Sequence, residues 1–161
     1  MSIDWKLLAD VRERQKTAAM GVVARDRAAA EQSQAQLRQA EAAQQQQVQN
    51  KLQHWEATRG ALSGGQYSVA EFRQAGAWSG TLDAQIAQAG QVTALAARAH
   101  SEREQVLEQS RRQLRAAHGE LEKAQQMQQR AHTERLHLQE LRLEDVNEES
   151  TAQAWAMRRP A

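Results

Sequence analysis

The sequence predicts an all-α protein: two long helices forming an antiparallel coiled-coil hairpin with a short helical tip. Two stretches, residues 4–60 and 82–148, contain no proline and few glycines, and they are dominated by Ala, Gln, Arg and Glu. These residues lose little on entering a helix. Between the stretches, Gly60-Ala61-Leu62-Ser63-Gly64-Gly65-Gln66-Tyr67 concentrates the residues that let a chain stop and reverse. In the second stretch, Leu107, Leu114 and Leu121 recur one heptad apart, the spacing of a seam between helices. The resulting organisation is one domain over 1–161, with a helix at 4–60, a tip at 61–81, a helix at 82–148 and a tail at 149–161 that frays or docks.

In the first helix, Ile3, Leu7, Leu8, Val11, Ala18, Val22 and Ala29 recur at steps that give one apolar stripe. Ser2 or Asp4 is placed to cap its start. The stripe thins through Gln44-Gln45-Gln46-Gln47, a solvated face, and resumes with Val48, Trp55 and Leu62 in an offset register. A drifting seam or a stutter is therefore expected here. In the tip, Ser68-Val69-Ala70-Glu71 matches a capping box opening a short helix to about Ala75. Gly76-Ala77-Trp78-Ser79-Gly80 then interrupts it, and Thr81 is expected to cap the second long helix. In that helix, Ile86, Ala89, Thr93, Ala96, Ala117, Ala124, Ala131 and Leu138 share the leucine frame, with interruptions at His100, Arg103, Gln128 and Arg135. Doubling back is expected to bring Val11 near Leu138.

Composition narrows the function. The 161 residues carry 21 basic and 20 acidic side chains, a net charge of +1, without the basic excess of a general nucleic-acid binder. Mean hydropathy is −0.81, and no apolar run is long enough for a membrane span. Phe and Tyr occur once each, too little large apolar surface for a multilayer core. The absence of cysteine removes disulfides and thiolate metal sites. The opening residues lack the apolar core of a secretory leader, so a cytoplasmic protein is expected.

No catalytic constellation stands out. His132 and His137 are five residues apart and diverge around a helix, where metal ligands would sit four apart. Neither a metal nor a cofactor is expected, and the protein is read as a non-enzyme. Two sets of residues suggest binding instead. Tyr67, Phe72 and Trp78 are concentrated at the tip; they form either a small satellite core or an exposed knob for a partner. Arg111, Arg112 and Arg115, with Arg12 and Arg14 on the first helix, form either a solvated face or a contact for an acidic surface.

This layout, a Gln/Arg/Glu-rich, cysteine-free long helix, glycine-punctuated tip and second longer helix, resembles the YscO/FliJ family of type III secretion and flagellar export stalk proteins. The resemblance implies an antiparallel coiled coil, similar to part of the rotary γ subunit of F-type ATPases, that links a hexameric secretion ATPase to an export gate protein. It implies that the end holding the chain termini meets the ATPase and that the tip around Phe72 meets the gate, peripherally at the inner membrane and in a setting of bacterial virulence. Two other readings stand beside it: a coiled-coil chaperone or adaptor for another secretion component, and a structural coiled-coil oligomer.

Overall fold

A computed structural model describes residues 2–65 and 67–159. It contains two helices, α1 (Trp5–Ser63) and α2 (Val69–Met157), and no strand among the described residues. The helices pack against each other. Two compact units can be distinguished, one of residues 22–111 and one of residues 1–21 with 112–161.

The helix ends follow from local chemistry. Asp4 Oδ1 accepts a hydrogen bond from the Leu7 amide at 3.1 Å, which occupies one of the amides that a helix start leaves without an internal partner. Of the two expected caps, Asp4 is therefore the one used. At the far end, the Gly64 amide reaches Gly60 O at 3.1 Å and the Gly65 amide reaches Leu62 O at 3.2 Å. Gly65 has a φ of 68°, a left-handed turn that side chains resist and glycine tolerates. The capping box then forms with both bonds: the Glu71 amide donates to Ser68 Oγ at 3.2 Å, and the Ser68 amide donates to Glu71 Oε2 at 3.0 Å.

From this cap α2 runs without a break to Met157. The expected separate tip helix, the interruption at Gly76–Gly80 and the cap at Thr81 are all corrected. Thr81 lies inside the helix, its hydroxyl bonded back to Ala77 O at 3.4 Å. Ala75, Ser79 and Leu82 are buried at steps of four and three, so they continue one packed face straight through the glycines. Each glycine costs about 1 kcal/mol relative to alanine, and the helix continues because that face is packed. The segment from 149, expected as a tail, is helical through Met157.

In the unit of residues 22–111, Val23, Asp26, Ala30, Ser33, Leu37, Ala40, Gln44, Gln47, Lys51, His54, Thr58 and Ala61 of α1 are buried or half-buried. They alternate in steps of four and three without interruption. On α2 the same alternation runs through Ala75, Ser79, Leu82, Ile86, Ala89, Thr93, Ala96, His100, Leu107 and Ser110, broken only where Arg103 stays exposed. Contacts pair the helices in reverse order: Asp26 meets Ser110, Ser33 meets His100, Lys51 meets Asp83 and Trp55 meets Ser79.

The unit of residues 1–21 and 112–161 repeats the rule, with Trp5, Ala9, Arg12, Lys16 and Ala19 on α1 and Leu114, Ala117, Leu121, Ala124, Gln128 and Ala131 on α2. The stutter expected in α1 is absent. Of the apolar stripe read there, Ile3, Leu7, Val11, Val48, Leu52 and Leu62 are exposed, while Leu8, Val22, Ala29 and Trp55 are half-buried. Trp5, not Val11, shares a hollow with Leu138.

Leu121 is 3% exposed and Leu138 is 53% exposed, which sets up a direct contrast. Leu121→Ala is expected to lower unfolding stability by about 2–3 kcal/mol through lost burial and a residual cavity, and Leu138→Ala by less than about 0.5 kcal/mol. Urea titration followed by circular dichroism measures both; equal losses would contradict the packed face assigned to α2.

Candidate partner-binding surfaces and the polar seam

The end of the unit of residues 22–111 where the chain reverses carries a hollow of about 630 Å³ lined by His54, Ala61, Tyr67, Glu71, Trp78 and their neighbours. Its wall is held by two bonds between the helices. His54 Nε2 lies 3.0 Å from Ala75 O, and Trp55 Nε1 donates to Ser79 Oγ at 3.1 Å. The His54 and Trp55 rings are 5.5 Å apart and tilted by 59°. Tyr67 is half-buried at the rim, and Trp78 is 50% exposed.

Of the three tip aromatics, Tyr67 and Trp78 thus border one hollow, while Phe72 does not line it and is 47% exposed. Phe72 and Trp78 are six residues apart on one helix, so they project about 120° from each other. They do not form a closed satellite core. The anchoring roles of His54 and Trp55 escaped the sequence reading. By sequence Trp55 falls on an apolar stripe, and only its indole N–H, which seeks an acceptor when covered, hints at the bond to Ser79.

The five arginines separate in kind. Arg12 is half-buried and its Nη1 donates to Gln15 Oε1 at 3.0 Å; Arg14 is exposed. Arg111 is half-buried within the unit of residues 22–111, whereas Arg112 and Arg115 are exposed in the other unit. There Arg115 borders a groove with Lys16, Met20, Leu114 and His118. Its lining combines the apolar Met20 and Leu114 with Lys16 from α1 and Arg115 from α2. His118 Nε2 lies 3.3 Å from Glu122 Oε1, which partly offsets that charge.

The most distinctive chemistry lies in the seam itself. Asp26 is 7% exposed and accepts a hydrogen bond from the Ser110 hydroxyl. That bond holds its carboxyl below the usual value of 3.8; burial pushes the other way, and Arg25 and Arg103 add to the lowering. Arg25 Nε is 3.4 Å from Asp26 Oδ1. Further along, Ser33 gives its hydroxyl proton to Ala30 O at 2.8 Å and stands 2.8 Å from His100 Nδ1. His100 Nε2 faces Glu104 Oε1 at 3.3 Å. Lys51 pairs with Asp83.

Among the described residues no group of three His, Cys, Asp or Glu side chains is placed to hold a metal ion, and no helix is long and apolar enough to cross a membrane. Comparison with known proteins adds no identity: no family model, no curated protein and no solved structure matches the chain.

The lowered Asp26 carboxyl fixes a pH dependence. Because its folded value lies below 3.8, its contribution to stability is complete above the unfolded value and disappears as pH falls through the folded one. Asp26→Asn is therefore expected to lower stability at neutral pH and to flatten the part of the acid unfolding curve that falls below about pH 4. Parallel thermal melts from pH 7 to pH 2 read the difference; identical acid limbs in the two proteins would refute the role given to the Ser110 bond.

Proposed function

We propose that the protein is the non-catalytic central stalk of a type III secretion system, built as an antiparallel coiled-coil hairpin. It binds the hexameric secretion ATPase and couples it to the export gate protein, in the cytoplasm and peripherally at the inner membrane. The observation that carries the reading is the alternation of buried positions in fours and threes on both helices, with partners in reverse order. Such a pair is stiff along its axis. Its exposed surface mixes arginines with apolar side chains such as Leu7, Leu52 and Leu62, so it is not the same on every side. No cofactor is required, since the partner supplies ATP chemistry.

In this reading Tyr67 and Trp78 at the reversal, with Phe72 on the neighbouring face, present half-exposed rings to the gate. Arg12, Arg14, Arg111, Arg112 and Arg115 meet acidic residues of the ATPase ring, where guanidinium groups fork onto carboxylates. A chaperone or adaptor role is the second reading. It is favoured by α1 residues 34–57 and α2 residues 83–106, none of which is buried; a loosely held middle suits reversible exchange of helix partners.

Two outcomes test the stalk. Reversing charge at Arg111, Arg112 and Arg115 is expected to weaken binding to the purified ATPase at least tenfold and to reduce the salt dependence of what remains. Unchanged affinity and unchanged stimulation of hydrolysis would remove the assignment. Phe72→Ala with Trp78→Ala is expected to leave the helical circular dichroism signal intact while lowering gate affinity about tenfold or more. A large loss of helicity would instead make these rings structural.

A further inference from the structure

Ser33 is 7% exposed and is the last buried residue of α1 before the stretch 34–57, in which none is buried. Opposite it on α2 stands His100, whose side chain is 15% exposed. Three polar approaches meet at this pair. Ser33 Oγ lies 2.8 Å from Ala30 O and 2.8 Å from His100 Nδ1, and His100 Nε2 lies 3.3 Å from Glu104 Oε1.

Protons are short here. A serine hydroxyl has one to give, a neutral imidazole has one, and a carboxylate or carbonyl has none. A neutral ring therefore brings two protons to three approaches. If Ser33 donates to Ala30 O, Nδ1 takes the ring proton and Nε2 turns its lone pair toward Glu104. If the ring proton sits on Nε2, Ser33 has to serve Nδ1 and Ala30 O with a single hydrogen. Either tautomer leaves the same deficit. A second proton on the ring gives every approach its own hydrogen bond.

The charged surroundings are simple. On α2, Glu104 supplies the carboxylate, and Arg103 flanks the ring on its other side; Arg103 is exposed and its charge acts on Asp26. Arg98 and Glu102 are two residues from His100 and face elsewhere. From α1 the ring meets Ser33, and the charged residues nearest to Ser33 in that helix, Glu31 and Arg38, are exposed off the packed face. The geometry points to a proton-operated clamp: Ser33, His100 and Glu104 draw the two helices together when the ring is charged and slacken when it is neutral. The added bond favours the closed pair below the range in which histidine titrates, and it is lost as pH rises through that range. Because Ser33 borders the stretch 34–57 and His100 lies within 83–106, opening of this loosely held middle becomes pH-sensitive. The clamp stands apart from the stalk reading, since none of the residues assigned to the ATPase or the gate takes part.

Amide hydrogen exchange of the full chain, followed by NMR between about pH 8 and pH 5.5, tests the clamp, with the His100 ring nitrogen shifts recorded in the same samples. Rates are corrected for the intrinsic effect of pH on exchange. Protection across residues 30–37 and 96–104 is expected to rise about fivefold or more, a modest return for one added hydrogen bond to a charged group. The rise should follow the curve on which both ring nitrogens become protonated. Glu104→Ala, at a side chain 65% exposed, leaves two approaches for two protons, so the helix should persist and the rise should vanish. His100→Gln should abolish it as well. Protection that stays flat or falls as the ring gains its proton, or a rise that survives in either variant, would overturn the proposal. So would ring shifts showing a neutral His100 in the folded chain at the acid end of the series.

Discussion

Hydrogen bonding across the seam is the constraint on which the pairing depends. Few large apolar residues lie on the paired faces, and the buried members of α1 include Asp26, Ser33 and Thr58. Small side chains let two helices come close but remove little apolar area from water, so each turn gains little from the hydrophobic effect. Buried polar groups are costly unless partnered. Here the partners stand on the opposite helix: Ser110 for Asp26, His100 for Ser33 and Ser79 for Trp55. Sliding one helix by a heptad would take Asp26 and the Trp55 indole from their partners at once, while Ser33 would keep only its bond to Ala30 O. Alanine permits the approach, and the polar contacts choose the register.

The same property explains which parts of the fold were legible from sequence. In α2 the frame can be read directly, because Leu107, Leu114 and Leu121 occupy it and Leu107 and Leu121 are buried. In α1 most of the large apolar residues sit outside the frame, which holds Trp5, Val23 and Leu37 together with alanine, lysine, glutamine and histidine. A search for hydrophobic periodicity follows the leucines and valines and so selects the outer face. The capping box was legible because its two bonds need only four consecutive residues. The continuation of α2 through Gly76 and Gly80 was not, since it is decided by Ala75, Ser79 and Leu82 packing against another segment. For the candidate site, clustering of Tyr67 and Trp78 was legible. The separation of Phe72 from them depended on knowing that one unbroken helix carries both Phe72 and Trp78.

Stability is unevenly distributed within residues 22–111. Buried positions gather at Val23–Ser33 with Leu107 and Ser110, and again at Thr58 with Ala75, Ser79 and Leu82. Between these two clamps the seam is half-buried, mixing Leu37 and Ile86 with alanine, glutamine, lysine, histidine and threonine, and Gln47 Oε1 is covered without a hydrogen-bond partner. Such a stretch opens at lower free energy than its ends. Anything that binds a separated helix would enter there, while the ends hold the pair together.

The unbroken alternation of fours and threes also restricts how such a chain changes length. Losing a single residue from α1 turns everything after it by about 100° about the helix axis, carrying Asp26, Ser33 or His54 away from its counterpart. Whole sevens removed together from both arms would keep every remaining pair in phase. Descendants of this chain are thus free to grow or shrink in matched blocks, and intermediate lengths are closed to them.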